Sequence, residues 1–179
     1  MDRALVGVSK LLSLVLRHRP ERLGLTLDSH GWVDVDTLLA AAAAHDVQLD
    51  RETFDRVVRE NDKRRFELGD DGRRVRASQG HSVPVDLGLP PVVPPPVLYH
   101  GTAARAVDAI RREGIRRGRR THVHLSADEA TARSVGQRHG APVVLRIDAS
   151  RMHCDGHTFV RAANGVWLVE AVPPDYIAS

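Results

Sequence analysis

The chain has 179 residues, 42% of them hydrophobic, which is enough apolar material for one ordinary core or two small ones. Its single cysteine, Cys154, cannot form an internal disulfide, and without a CxxC motif or a Cys/His cluster we expect no metal site. No stretch of about 18 apolar residues and no signal-peptide pattern is present, so we expect a cytoplasmic protein that does not associate with membranes.

The net charge of +3 conceals a strong bias among the basic residues, because 24 of the 26 are arginine and only Lys10 and Lys63 are lysine. A guanidinium group is planar and can donate two parallel hydrogen bonds to one phosphate, whereas an ammonium acts as a point charge. The bias therefore favours phosphate binding. A GC-rich genome would produce the same bias, so composition leaves both interpretations open.

The first lobe, predicted over residues 1–78, has the pattern of three helices followed by a hairpin. Apolar residues at helical spacing over 5–16 predict a helix that ends before Pro20, with Arg17-His18-Arg19 at its C-terminus. A short strand over 31–33 precedes two further helices, one over 38–44 capped by Asp36 and one over 51–60 capped by Asp50. Residues 65–68 and 74–76 alternate around an Asp-Asp-Gly turn and predict a hairpin. This outline is that of a winged helix.

Residues 79–96 contain six prolines and few charges, which predicts an extended, semi-rigid linker. The second lobe, residues 97–179, then begins with a short strand over 97–99 that runs into His100-Gly101-Thr102. A helix over 103–113 ending at Gly114, a strand over 122–125 and a helix from about 127 to 139 follow, the last capped by Ser126 or Asp128. A buried strand over 142–147 and an Asn164-Gly165 turn before a strand over 166–169 complete the lobe.

This order of elements predicts an α+β fold of two lobes. The second lobe is unlike a doubly wound nucleotide-binding fold, because the chain has neither GxGxxG after a strand nor GxxxxGK[ST].

Eight short strings occur in order along nearly the whole chain. They are Ser9-Lys10-Leu11-Leu12-Ser13 through Leu16-Arg17-His18-Arg19-Pro20, Leu25-Thr26-Leu27-Asp28, Gly31-Trp32, Asn61-Asp62-Lys63-Arg64-Arg65-Phe66, Gln79-Gly80-His81-Ser82, Tyr99-His100-Gly101-Thr102, His122-Val123-His124-Leu125-Ser126 and Asn164-Gly165-Val166-Trp167-Leu168. Together they resemble the KptA/Tpt-type RNA 2′-phosphotransferases. The resemblance implies a winged-helix-like N-lobe, an ADP-ribosyltransferase-like C-lobe, NAD⁺ as a consumed co-substrate and an RNA bearing a 2′-phosphate as the partner.

The resemblance also implies a reaction in two steps. The internal 2′-phosphate displaces nicotinamide from NAD⁺, and the ribose 2″-hydroxyl then attacks the phosphorus, which releases 2′-hydroxyl RNA and ADP-ribose 1″,2″-cyclic phosphate. The family's catalytic set falls on Arg17, His18, Arg65 and Arg120, with the arginines expected to clamp the phosphate. We expect NAD⁺ to contact His100, Gly101, Thr102, His124, Ser126 and Arg138.

ADP-ribosyltransferases that modify proteins commonly use a glutamate to activate the acceptor. This chain has Val166 where that carboxylate is expected, and Glu170 lies four residues further on. Because a phosphate is already anionic at neutral pH, the missing carboxylate is consistent with a phosphate acceptor.

Several features also have structural explanations. Arg17 and His18 would complement a helix dipole, and His100 could be a buried histidine at a strand end. Ser126 could be a helix cap that makes no ligand contact.

Two other functions remain open from the sequence. One is an ADP-ribosyltransferase that acts on terminal phosphates of RNA or DNA or on protein and leaves the ADP-ribose attached. The other is a non-catalytic winged-helix nucleic-acid binder. An exposed run of arginines over 111–117 would attract RNA backbone in either case. No exposed heptad pattern is apparent, so we expect a monomer.

Overall fold

The structure is a computed structural model that describes residues 3–178. The chain divides between Gly88 and Leu89 into two units, called unit 1 and unit 2 below. This boundary falls inside the proline-rich segment that was predicted to be a linker. Both units mix helices with strands, which confirms the predicted α+β class. Within the described range, no helix is long and apolar enough to cross a membrane.

Unit 1 consists of helices packed beside one small antiparallel sheet. Its elements are α1 (Arg3–Val15), a 3₁₀ turn (Pro20–Leu23), β1 (Val33–Asp34), α2 (Val35–Ala44), α3 (Arg51–Arg59), β2 (Phe66–Leu68) and β3 (Arg74–Ala77). The strand order is β1-β3-β2, with Phe66 opposite Ala77 and Val33 opposite Val75. The hairpin of β2 and β3 was predicted, whereas the third strand, β1, was expected only as an isolated segment.

The first turn of α2 differs from the prediction. The carboxylate of Asp34, not that of Asp36, caps the helix by accepting a hydrogen bond from the Thr37 backbone N–H at 2.8 Å. The cap lies two residues earlier than predicted because the helix starts directly after β1, at Val35, which is buried in the core. The predicted cap at Asp50 is confirmed, since it accepts from the Thr53 backbone N–H at 2.8 Å.

The core of unit 1 lies between the apolar faces of the three helices and the sheet. Its fully buried members include Leu12, Leu16, Leu38, Phe54, Val57 and Val75. This core holds the end of α1 and the start of β2 in fixed positions, and those two places carry the predicted phosphate ligands of unit 1.

Unit 2 is built on a long antiparallel pair of strands. Its elements are β4 (Val97–Ala103), a 3₁₀ turn (Ala104–Ala106), α4 (Val107–Glu113), β5 (Ile115–Arg116), β6 (Val123–Leu125), α5 (Glu129–Gly136), a 3₁₀ turn (Gln137–His139), β7 (Pro142–Asp148), α6 (Ala149–Cys154), β8 (Val160–Arg161), β9 (Trp167–Val169), β10 (Ala171–Val172) and a 3₁₀ turn (Pro174–Tyr176). All seven residues of β4 pair with β7, β9 lies between β6 and β8, and β5 pairs with β10. A bridge between Tyr99 and Ser126 brings β4 next to β6.

Two predicted elements of unit 2 change at their ends. The helix predicted over 103–113 begins as a 3₁₀ turn and becomes α-helical only at Val107, because β4 extends as far as Ala103 and leaves fewer residues for the helix. Asp128 caps α5 by accepting from the Thr131 backbone N–H, so Ser126 is not the cap. The Asn164-Gly165 turn joins β8 to β9 as predicted, with Gly165 at φ 84°.

Helix α5 lies directly against β4, and two glycines permit this close approach. A Cβ atom on Gly101 would lie 1.7 Å from the backbone oxygen of Ala132, and one on Gly136 would lie 2.8 Å from the backbone oxygen of Thr102. The contact therefore brings the two backbones together, and it fixes the strand that carries His100.

Candidate functional site

The C-terminal end of α1 places Arg17 and His18 at one edge of unit 1. The last backbone hydrogen bonds of this helix run from the N–H groups of His18 and Arg19 to the carbonyl of Leu14, and Pro20 follows. The chain leaves the helix there because proline lacks an N–H donor. The two basic side chains therefore lie where the helix dipole is negative.

Arg17 and His18 line a pocket together with Arg65, which lies 48 positions after Arg17. The pocket has a volume of about 630 Å³. Its other lining residues are Val6, Ser9, Lys10, Ser13, Leu14, Glu60, Asn61, Asp62 and Lys63. Three of the four predicted catalytic residues are thus brought together within unit 1.

A buried polar chain holds Arg65 in the pocket wall. Asn61, only 3% exposed, accepts a hydrogen bond from Nη1 of Arg65 at 3.2 Å through Oδ1 and donates from Nδ2 to Oγ of Ser9 at 3.1 Å. Ser9 is itself 4% exposed. On the other side, Nη2 of Arg17 donates to the backbone oxygen of Arg65 at 3.4 Å. Buried polar groups with satisfied partners fix side-chain orientation, so the guanidinium of Arg65 is preorganised.

The segment 79–82 packs against the end of α1 and contacts His18. The Ser82 backbone N–H donates to the oxygen of Arg17 at 2.9 Å, and Oγ of Ser82 lies 2.9 Å from Nδ1 of His18. A hydrogen bond at Nδ1 fixes the plane of the His18 imidazole.

His81, between these contacts, is completely buried, and neither of its ring nitrogens has a hydrogen-bond partner in the described part of the chain. Burial, followed by the positive charges of Arg17 and His18, lowers the pKa of His81 to about 4 from its ordinary 6.5. The residue is therefore neutral at physiological pH and adds no charge to the arginine cluster.

In unit 2, the neighbouring strands β4 and β6 bring His100 and His124 together. The Nδ1–H of His100 donates to the backbone oxygen of His124 at 3.1 Å, which leaves Nε2 of His100 as an acceptor. Burial lowers the pKa of His100, and the nearby positive charges of His139 and Arg120 act in the same direction. The result is a neutral imidazole suited to accept a hydrogen bond from a hydroxyl group.

Arg120 links His124 to a second arginine, Arg138, through electrostatic interactions. Arg120 donates from Nη1 to Nδ1 of His124. Desolvation, followed by the charge of Arg138, lowers the pKa of Arg120, although much of that residue remains exposed. The charges of Arg120 and Arg138 repel each other, and a bound anion would relieve the repulsion. Arg120 was predicted as a fourth phosphate ligand, and Arg138 as an NAD⁺ contact.

The other predicted NAD⁺ contacts have structural tasks in this unit. Gly101 is required by the approach of α5, and Thr102 is buried beneath that helix. Ser126 exchanges two backbone hydrogen bonds with Tyr99, at 2.8 and 2.9 Å, which keeps β4 and β6 adjacent. The backbone of Gly101, Thr102 and Ser126 therefore holds the strands that carry His100 and His124.

Sequence reasoning assigned no role to Asn61, Ser9, Ser82 or His139. The first three lie inside strings used for the family resemblance, but nothing in their spacing indicated that they contact Arg65 or His18. His139 follows Arg138 in sequence, and only the turn over Gln137–His139 places its charge near His100. Glu170, considered as a carboxylate at the end of β9, is exposed.

The chemistry available in the two units is different. Unit 1 offers two arginines, of which Arg65 is preorganised by Asn61, beside a histidine, and this set suits a phosphate dianion. Unit 2 offers a neutral imidazole near clustered cations, which suits a ligand with both hydroxyl and phosphate groups. Among residues 3–178, no group of three or more His, Cys, Asp and Glu side chains is arranged to hold a metal ion.

Comparison with known proteins gives consistent matches along the chain. The sequence profile described as "RNA 2'-phosphotransferase, Tpt1 / KptA family" matches residues 3–171. A "Probable RNA 2'-phosphotransferase" of Agrobacterium fabrum is 60% identical over 96% of this chain and 92% of its own length. Proteins of the same name from Streptomyces coelicolor and Hahella chejuensis are 58% and 54% identical, covering 96% and 99% of this chain and 93% and 96% of their own lengths.

Proposed function

The chain belongs to the Tpt1/KptA family of RNA 2′-phosphotransferases, a family of transferases, and on this premise we propose that it removes an internal 2′-phosphate from RNA by transferring the phosphate to NAD⁺. The observation that carries the proposal is the convergence of Arg17, His18 and Arg65 on one pocket of unit 1. Two neighbouring arginines suit a phosphate monoester, because each guanidinium can donate two hydrogen bonds to its oxygens.

In the proposed first step, a 2′-phosphate oxygen forms a bond to C1″ of the nicotinamide ribose, and the glycosidic bond to nicotinamide breaks. The nucleophile is already anionic, so this step needs no general base. The work of unit 1 is to orient the phosphate through Arg17 and Arg65, which lowers the entropic part of the barrier.

In the proposed second step, the ribose 2″-hydroxyl bonds to the phosphorus and the bond from phosphorus to the RNA 2′-oxygen breaks. The 2″-hydroxyl loses a proton and the departing 2′-oxygen gains one. Negative charge accumulates on the nonbridging oxygens, where Arg17 and Arg65 would stabilise it. His18, with Nδ1 fixed by Ser82, would move a proton through Nε2.

NAD⁺ would bind to unit 2. The neutral His100 is suited to accept a hydrogen bond from a ribose hydroxyl, and Arg120 and Arg138 supply positive charge for the phosphates. We also propose that Gly101, Thr102, His124 and Ser126 form the wall against which the dinucleotide lies. The order β1-β3-β2 behind three helices supports a winged-helix-like unit 1, and we propose an ADP-ribosyltransferase-like fold for unit 2.

The test is to incubate the purified protein with NAD⁺ and a short RNA that carries one internal 2′-phosphate, and to identify the products by mass. We expect loss of the phosphate from the RNA, free nicotinamide and ADP-ribose cyclic phosphate. A stable ADP-ribosylated RNA as the end product would instead indicate an ADP-ribosyltransferase. RNA that binds but stays unchanged would indicate a binding protein.

Variants assign the roles within the pocket. Arg65→Ala should slow phosphate removal on the order of 10²-fold or more, because it removes a preorganised donor from the developing charge. Arg64→Ala is the matched control, since Arg64 carries the same charge one residue earlier but is exposed and does not line the pocket. His18→Ala should slow the second step more than the first, so that ADP-ribosylated RNA accumulates.

A further inference from the structure

Both lysines of this chain line the same pocket. The sequence contains 24 arginines and only two lysines, Lys10 and Lys63, and the unit 1 pocket that holds Arg17 and Arg65 has both of them in its wall. Elsewhere in the described chain every basic side chain other than histidine is an arginine. Within residues 3–178, the pocket is therefore the one place where lysine ammonium groups stand beside guanidinium groups.

Lys10 lies at a distance from the predicted phosphate clamp. Lys10 lies within α1 and Arg17 two residues after its end, where helical backbone hydrogen bonds still continue. A rise of about 1.5 Å per residue puts the Cα atoms of these two residues roughly 10 Å apart. One phosphate held by Arg17 and Arg65 would leave Lys10 closer to the neighbouring part of the ligand.

Lys63 extends the same wall from the turn before β2. Its backbone N–H donates to Oδ1 of Asn61 at 3.2 Å, the atom that also accepts from Arg65. The buried Asn61 therefore fixes the chain at Lys63 and the guanidinium of Arg65 together. Glu60 also lines the pocket, but Nε of Arg56 donates to its carboxylate at 3.2 Å and partly neutralises it. Asp62, the remaining carboxylate, is exposed.

The size of the pocket exceeds what a single phosphate needs. A volume of about 630 Å³ lies within the range of about 300–1,000 Å³ that is typical of pockets for whole small molecules. A nucleotide and the phosphodiester that joins it to its neighbour would fill such a space. An ammonium on a flexible stem suits a phosphodiester whose position varies with sequence, whereas the rigid guanidinium fork suits the terminal phosphate.

We propose that Lys10 and Lys63 form a second phosphate subsite, which binds the 3′,5′-phosphodiester next to the 2′-phosphorylated nucleotide. This inference rests on the proposed function and specifies its substrate class. The enzyme would favour a 2′-phosphate inside an RNA strand over the same phosphate on a free nucleotide, because only the strand offers a charged phosphodiester to the subsite.

The experiment compares two RNA trinucleotides that both carry a 2′-phosphate on the central nucleotide. One has native phosphodiesters, and the other has uncharged methylphosphonates in their place. Affinity is measured without NAD⁺ over a range of salt concentrations, and turnover of the native RNA is measured with NAD⁺. The variants are Lys10→Ala, Lys63→Ala and the charge-retaining Lys10→Arg, with Arg22→Ala as the matched control because Arg22 is exposed and outside the pocket.

For the native RNA, each lysine-to-alanine variant should bind about tenfold more weakly. The slope of log affinity against log salt should fall by about 0.7 for each lost phosphate contact in single-stranded RNA. Affinity for the methylphosphonate RNA should not change. Lys10→Arg keeps the charge and should therefore keep the wild-type salt slope, although it should bind the native RNA more weakly than lysine does. Arg22→Ala should behave like the wild type.

An equal loss on both RNAs would overturn the subsite, because the lysines would then act on the 2′-phosphate itself. No loss on either RNA would overturn it too. If the wild type does not convert the native RNA, the proposed function fails; if it converts the RNA and the lysine variants match it in every measurement, the subsite alone fails. Both lysines are exposed, so their substitution leaves the core of unit 1 unchanged.

Discussion

Replacing Gly101 by alanine should destabilise unit 2 because α5 leaves no room for a methyl group on β4. The new Cβ would lie 1.7 Å from the backbone oxygen of Ala132 and 2.9 Å from the backbone nitrogen of Gly136. Both obstacles are main-chain atoms, so no side-chain rotation relieves the clash. The helix must retreat by about 1.3 Å merely to bring the Ala132 oxygen to a distance of 3.0 Å, at the lower edge of real contacts.

This retreat loosens the packing of α5 against β4, which sets the size of the effect. Overpacking a well-packed interior costs about 1–3 kcal/mol, and a clash with helix backbone belongs at the upper end of this range. Unit 2 has about 90 residues, and for a unit of that size each 1 kcal/mol lowers Tm by about 4–8 °C. We therefore expect the Tm of unit 2 to fall by about 12–24 °C in Gly101→Ala.

The assay is thermal unfolding without any ligand, because a residue needed only to admit NAD⁺ would not alter the free protein. Gly7→Ala is the control: an added Cβ there meets nothing within 4 Å, and alanine should stabilise α1 by about 0.5–1 kcal/mol. An unchanged Tm in Gly101→Ala would refute the packing argument and leave ligand contact as the reason for glycine.

Three further predictions address unit 1. Because the pKa of His81 is lowered to about 4, the folded chain keeps this residue neutral, whereas the unfolded chain protonates it below about pH 6.5. The free energy of unfolding should therefore be at its full value above pH 6.5 and decline by up to about 1.4 kcal/mol per pH unit as the pH falls towards 4. Urea unfolding measures this decline, and an equal decline in His81→Gln would contradict the explanation. Asn61→Ala should lower kcat/KM for the 2′-phosphorylated RNA about tenfold, because it releases the side chain of Arg65. In a double-mutant cycle, the effect of Asn61→Ala should largely vanish when Arg65 is already alanine. Additive losses would show that the two residues act independently. Asp34→Ala should lower Tm by about 5 °C through loss of the cap, whereas Asp36→Ala should leave Tm nearly unchanged, and the reverse order would restore the cap to Asp36.

Local features of both units were predictable because they depend on adjacent residues. The cap at Asp50 needs only a carboxylate three residues before a free N–H, and the hairpin at Asn164-Gly165 needs only a glycine that tolerates a positive φ. The eight ordered strings indicated the family, because a match of residue types in order along the chain needs no knowledge of the distances between them. The sequence also placed Arg17, His18 and Arg65 in one set by resemblance.

What only the tertiary structure decided depends on packing between segments that are distant in sequence. Arg17 and Arg65 meet across 48 positions, and the buried Asn61 that orients Arg65 is bonded to Ser9, 52 positions away. No spacing rule covers such contacts, because their distances are set by how the core of unit 1 packs α1 against α3. Gly101 shows the same limit. The sequence analysis predicted it only as an NAD⁺ contact, but the backbone of α5, some thirty residues later, is what excludes a side chain there.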